Sequence, residues 1–189
     1  MQINKNILIE DPSPYLKQHK DNPVHWQTWS KECLDFAKQN KKPILLSIGY
    51  ASCHWCHVMA HESFEDIETA KIMNDLFVNI KVDREERPDL DFIFQNSFQL
   101  FNQVSGGWPL TMFLDENGVP FMGGTYFPKE AKNGLPSFKE VLQKVSEAYE
   151  GQREDIIKQK NLIIKNLDLK KNAVLNQELE PIIEMSLSN

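Results

Sequence analysis

Long apolar runs, a block of one charge and a spread of cysteines are all missing from this chain of 189 residues. No stretch approaches the roughly 20 apolar residues needed to cross a bilayer, and Met1 to Glu10 lacks the basic-then-apolar pattern of a secretory signal. The expectation is a cytoplasmic protein with no membrane partner. The formal charge of −6 comes from intermingled acidic and basic residues. That mixture offers no electrostatic platform for nucleic acid or for an anionic lipid surface. Three cysteines are too few for a disulfide framework: Cys33 stands alone, and Cys53 and Cys56 sit three apart. In a reducing compartment such a pair is more often catalytic or metal-binding than structural. What is present is an ordinary 41% of apolar residues, enough for one domain with a core.

Residues 1–28 read as an arm packed on the domain, because Pro12, Pro14 and Pro23 disfavour regular structure while Tyr15, His25 and Trp26 supply surface to bury. The domain itself is expected over residues 29–160. Trp29 to Lys38 has helical spacing with Ser30 as cap, and Cys33 falls on its core face as a small hydrophobe. Ile44–Gly49 is a short apolar run bounded by breakers, the signature of a buried strand. Helical pattern runs from Cys53 to about Glu62, and again from Ile67 to Leu76 after Ser63 or Asp66 as cap. Phe77 to Val82 alternates apolar and polar as a second strand. After the charged turn Arg84 to Pro88 comes a helix over Asp89 to Gln103. A third strand spans Leu110 to Leu114, a hairpin turn Asp115 to Gly118, and an antiparallel fourth strand Val119 to Met122. Ser137 opens a final amphipathic helix running to about Lys160. Residues 161–189 lack turn chemistry and read as a tail or the start of a missing C-terminal domain. The order is a βαβ unit followed by a ββα unit, which makes an α/β fold with a central mixed sheet of four to five strands flanked by helices.

The chemistry-bearing segment is Ser52-Cys53-His54-Trp55-Cys56-His57. A Cys-x-x-Cys pair between a buried strand and a helix places the first sulfur at a helix N-terminus, where free amides and the helix dipole favour a thiolate. Cys53 is therefore the expected nucleophile, and Cys56, one turn on, resolves the mixed disulfide. At about 100° per residue His54, His57 and His61 fall on one flank of that helix beside Cys53, where they would make its reactivity depend on pH. Two rival readings use the same residues. Cys53-His54-Trp55-Cys56-His57 matches the Cys-x-x-Cys-His attachment motif of c-type haem, although that attachment follows export. Cys53, Cys56, His57 and His61 form a possible zinc set, although adjacent Cys56 and His57 project in different directions. A second element is Gly106-Gly107-Trp108-Pro109, where glycines followed by a strand-initiating proline suggest a cis peptide bond at Pro109.

Six segments together resemble the thioredoxin-like domain of the spermatogenesis-associated protein 20 family, over roughly residues 10 to 150. They are Ser13-Pro14-Tyr15-Leu16, Asn22-Pro23-Val24-His25-Trp26, Cys53 to Met59, Lys81 to Asp89, Gly106 to Pro109, and Gly123-Gly124-Thr125-Tyr126-Phe127-Pro128. The resemblance implies a thioredoxin fold with Pro109 as the cis-proline facing the dithiol. It also implies a further α/α-barrel domain in a full-length protein. Tyr15, His25, Trp26, Arg84, Glu85, Arg87, Tyr126 and Phe127 belong to its motifs, as substrate contacts or as packing. The chain departs from thioredoxin itself at the residues between the cysteines, His54-Trp55, and at Ser47, where thioredoxin carries a buried aspartate. Asp83 and Glu62 are the acids that could replace it.

These features predict a thiol–disulfide oxidoreductase with catalytic Cys53 and Cys56, supported by His54, Trp55, His57, Trp108 and Pro109. Its redox-active group is the Cys53–Cys56 disulfide with no other cofactor, and its substrate is a protein or small-molecule disulfide or thiol. The alternative is a non-catalytic redox-sensing or zinc-binding interaction module.

Overall fold

Most helices begin at a capping side chain, and the helix over Pro88–Asn102 begins instead at a proline in its first turn. The computed structural model describes residues 3–132 and 134–151; the last turns expected for the final helix and the 161–189 tail lie outside the described residues. Helix α1 (Pro14–Lys17) is capped by Ser13, whose Oγ accepts from the Leu16 amide, with Pro14 in the first turn where a missing N–H costs nothing. Helix α2 (Lys31–Asn40) is capped in the same way by Ser30 and stops at Lys41, which has left-handed backbone at φ 51°. Strand β1 is Ile44–Gly49, buried throughout. Helix α3 (His54–Met59) widens into a π-helical turn over Ala60–Phe64, and Asp66, not Ser63, caps α4 (Ile67–Leu76). Strand β2 (Val78–Asp83) leads through the charged turn to α5 (Pro88–Asn102). Strands β3 (Leu110–Leu114) and β4 (Pro120–Gly124) form the hairpin, and α6 (Phe138–Gly151) follows. Strand β4 starts and ends later than the expected Val119 to Met122, and its pairing with β3 carries a register shift at Phe113/Leu114.

The sheet order is β2-β1-β3-β4, with β1 and β2 parallel and the other pairs antiparallel. Four strands pair fully. The arm adds a single parallel bridge, Gln27 to Ile80, at the β2 edge. The Gln27 amide donates to Asn79 O, and the Lys81 amide donates to Gln27 O. An edge that would otherwise template aggregation is thereby covered. The βαβ unit followed by a ββα unit is as the element order implied, and the four-stranded mixed sheet is the thioredoxin-like arrangement that the family resemblance implied.

The two sheet faces differ in kind. On one, Ile44, Leu46, Ile48, Val78, Ile80, Val82, Leu110, Met112 and Leu114 pack against Cys33 and Ala37 of α2 and Leu90, Phe94 and Phe98 of α5. This face is apolar throughout, and burial pushes the Cys33 thiol up to about 12. The other face carries Ser47, Asn79, Lys81, Asp83 and Thr111, and it is buried as well. Alternation of apolar and polar residues normally marks a strand with one wet face. Here the arm and the π-helical turn cover that face.

Lys81 shows how. Its side chain is fully buried, its Nζ donates to Ser47 Oγ at 3.0 Å, and the rings of Tyr15, Trp26 and Phe64 stand 4.8–5.0 Å from the nitrogen. Burial lowers its pKa to about 7, while the three ring faces return part of the lost hydration as cation–π attraction. The arm is tied down beside it: Ser13 Oγ donates to Asp83 Oδ2 at 2.6 Å, and the Ile7 amide donates to Trp26 O at 3.0 Å.

The lysine gives a test with a definite sign. In the unfolded chain it keeps its proton to about pH 10, and in the folded chain to about pH 7, so unfolding takes up a proton between those values. The penalty for burying the ammonium is full below pH 7 and fades toward pH 10. Lys81→Met is expected to stabilise the fold at pH 6 by an amount on the order of 1–4 kcal/mol, and by less at pH 9.5. Thermal melts at the two pH values check this; an equal shift at both would contradict a buried, titrating amine.

Candidate active site

The sequence turns from strand to helix at residues 50–53, and this places both sulfurs at the C-terminal end of the sheet. Cys53 is the N-cap of α3, with its Sγ accepting from the Cys56 amide at 3.2 Å, and the two cysteines are joined as a disulfide. Both are nearly buried, Cys53 at 3% and Cys56 at 2% exposure, so accessibility does not separate them. Position does. Cys53 lies at the helix start, where amides point at it, whereas Cys56 lies one turn in and against Gly49 of β1.

The histidines do not assemble as the zinc reading requires. The two thiols are spent on each other, His57 Nε2 is bonded to Ala51 O at 2.8 Å, and His61 Nδ1 pairs with Glu65 at 2.8 Å on the surface. Among the described residues no three His, Cys, Asp or Glu side chains are grouped to hold a metal ion. The i, i+4 spacing of His57 and His61 is correct for one helix face, but each ring is turned to a nearer partner. His54 lies on the surface with its ring edge-on to Trp55 at 5.5 Å.

Two aromatic groups border the dithiol. Trp55 is 52% exposed, and its ring lies 5.0 Å from that of Tyr126. Tyr126 is braced in turn, its hydroxyl donating to Glu62 at 2.5 Å with Lys132 near the same carboxylate. Glu62 is therefore committed at the surface to holding Tyr126. On the other side Trp108 precedes Pro109, and the peptide bond between them is cis. Because Leu110 pairs with Ile48, the register brings Pro109 opposite Gly49, beside the strand end that leads to Cys53. Trp108 Nε1 donates to Asp91 Oδ1 at 2.9 Å, Arg84 stacks over the indole at 3.9 Å and pairs with Asp91 at 3.3 Å, and Tyr50 meets the indole edge-on at 5.9 Å. Gln95 Nε2 donates to Gly107 O at 3.2 Å, which holds the glycine turn against α5.

Asp91, Tyr50 and Gln95 are absent from the sequence reading. Asp91 is the nearest to being visible, as an acid on the inner face of a helix otherwise lined by Leu90, Phe94 and Phe98. Of the other motif residues, Arg87 pairs with Asp89 in an exposed turn, the Glu85 amide donates to Asp83 Oδ1, His25 binds Asn74 through its backbone amide, and Phe127 stacks on Phe138 at 5.9 Å. These contacts hold turns and packing, for Glu85 and His25 through the backbone alone. Ser47 is occupied by Lys81, and Asp83 accepts from Ser13 as well as Glu85, so neither is a free base under Cys56.

Among the described residues no helix is long and apolar enough to cross a membrane. Residues 5–168 match the Thioredox_DsbH family, described as a protein of unknown function, DUF255. An uncharacterised protein of Caenorhabditis elegans is 47% identical over 163 residues, which are 86% of this chain and 22% of that protein. Spermatogenesis-associated protein 20 of Homo sapiens is 43% identical over 152 residues, 80% of this chain and 19% of its own length. The chain thus spans about a fifth of the curated relatives it matches. Similar solved structures include one titled "DsbH Oxidoreductase", 20% identical with a TM-score of 0.48, covering 68% of this chain and 85% of that one. Another is a thioredoxin from Thermus thermophilus, 16% identical with a TM-score of 0.45, covering 67% and 89%. The dithiol, the glycine–tryptophan–proline turn and the Tyr15 arm all fall inside the matched span, and the chain belongs to the Thioredox_DsbH (DUF255) family.

Proposed function

We propose that this domain is a thiol–disulfide oxidoreductase acting on protein or small-molecule thiols and disulfides. The observation that carries the reading is the joined Cys53–Cys56 pair across the first turn of α3, at the end of a buried parallel strand. In the oxidising direction a substrate thiolate attacks Cys53 Sγ, the bond to Cys56 breaks, and its electron pair leaves on Cys56. A second substrate thiol then displaces Cys53, so the substrate loses two electrons and the pair gains them. In the reducing direction the Cys53 thiolate attacks a substrate disulfide and Cys56 resolves it. Trp108 and Pro109 offer backbone to the bound substrate, while Trp55 supplies an exposed apolar contact next to the reacting sulfur. His54, on the surface against Trp55, and His57, bonded to the Ala51 carbonyl, flank the site.

Cys56→Ser is expected to trap a mixed disulfide at Cys53 and to abolish turnover, whereas Cys53→Ser traps nothing. Mass spectrometry after incubation with a model disulfide reads both; no adduct on Cys56→Ser together with no reduction of the disulfide by the native chain would sink the reading. Asp91 is the second test. Asp91→Ala frees the Trp108 indole and is expected to lower kcat/KM for disulfide reduction about tenfold while the fold stays intact. Asp91→Asn keeps an acceptor for Trp108 Nε1 and should retain most of the activity. Equal losses in the two variants would show that the indole anchor is not what matters.

A further inference from the structure

Tyr15 comes from α1 in the arm and is fully buried, yet its hydroxyl has no hydrogen-bond partner among the described residues. Buried donors are seldom left so. The hydroxyl is packed over Gly49, on which a Cβ would fall 2.2 Å from the Tyr15 oxygen and 2.8 Å from Cys56 Sγ. Phenol oxygen and sulfur therefore share one small space, at most about 5 Å apart, the sum of those two distances. In the disulfide, Cys56 Sγ is neutral and a weak acceptor. Once the S–S bond opens, the same atom carries a full negative charge in a buried setting, and such a charge needs a donor.

Resting on the oxidoreductase reading above, we propose that the Tyr15 hydroxyl is the hydrogen-bond donor held in reserve for the Cys56 thiolate. When a substrate thiolate attacks Cys53 Sγ, a new S–S bond forms there, the Cys53–Cys56 bond breaks, and its electron pair passes to Cys56 Sγ, which accepts the Tyr15 O–H. In the reverse direction the Tyr15 bond keeps Cys56 as thiolate. That thiolate attacks Cys53 Sγ of the mixed disulfide, and the substrate thiolate it expels takes a proton from solvent. The carboxylate of thioredoxin has no counterpart at this position, because Ser47 is there and is tied to Lys81.

The groups around the phenol suit a donor. His19 stands edge-on at 5.1 Å between ring centroids, Lys81 Nζ lies 5.0 Å from the ring centroid, and Asp83 faces it from β2, held by Ser13. Burial first, and the Asp83 charge second, push the Tyr15 hydroxyl upward, so it stays protonated across the working range. His19, driven down to about 2 chiefly by burial, is a neutral neighbour. Lys81, when protonated, adds positive charge on the same side of the sheet.

The test uses the full 189-residue chain with Cys53→Ser, which leaves Cys56 as the single thiol at the site. The Cys56 Cβ chemical shift is followed by NMR against pH, with and without Tyr15→Phe. Loss of the hydroxyl is expected to raise the Cys56 pKa by about one to two units while leaving the melting temperature unchanged or higher. A folded variant whose Cys56 titrates as before overturns the proposal. Should Tyr15→Phe fail to fold, 3-fluorotyrosine at position 15 keeps the shape and sharpens the donor; it must then lower the Cys56 pKa, and no movement overturns the proposal equally. Model-disulfide reduction by the native chain is scored separately. A moved pKa in an inactive protein upholds the contact and sinks the oxidoreductase reading, and an unmoved pKa in an active protein does the opposite.

Discussion

Covering the polar face of the sheet is the constraint on which the remaining structure depends. A strand that presents Asn79, Lys81 and Asp83 on one side can lie between two layers only if every one of those groups finds company. The N-terminal arm supplies it. Trp26 and Tyr15 stand against the ammonium of Lys81, Ser13 binds Asp83, and Gln27 bridges the edge strand. Once the arm is in place the end of β1 is sealed from that side, and Cys56 becomes a buried sulfur instead of a wet one. The depth of the dithiol is thus decided by arm residues, Ser13 to Gln27, that lie 26 to 43 positions upstream in the sequence. Layer packing and site chemistry here are one problem.

The surroundings of the sulfurs divide by stiffness. On the Trp108 side an indole is fixed by a hydrogen bond to Asp91 and a guanidinium stacked on its face, and the carboxylate between them serves both. Shared partners of this kind hold a ring at a defined height. On the Trp55 side the ring leans on Tyr126 but keeps half its area in solvent. A rigid wall faces an adaptable one across the disulfide.

Much of this was legible in the sequence, for reasons that can be stated residue by residue. Ile44–Gly49 and Leu110–Leu114 were readable because continuous apolar runs between breakers have few other solutions, and Asp66 and Ser30 were readable because a cap needs only a short side chain in one place. The dithiol was readable from its position between strand and helix. Lys81 was not, since a lysine in an alternating strand ordinarily points to water, and only the distant arm reverses that. The zinc set failed for a related reason: spacing puts His57 and His61 on one helix face, but the Ala51 carbonyl and the Glu65 carboxylate, each within hydrogen-bond reach, compete for the rings. Asp91 and Gln95 reach Trp108 and Gly107 only through contact with the loop before β3, which spacing along α5 does not encode.

Gly49 has no side chain, and that vacancy has a consequence of its own. The space above its α-carbon is occupied twice, by an oxygen from the arm and by a sulfur from α3. Even one added methyl would evict one tenant or the other, so the residue acts as a spacer of zero thickness between an upstream segment and the Cys53–Cys56 disulfide. A position with no side chain thus sets how closely the phenol oxygen and the sulfur are allowed to stand.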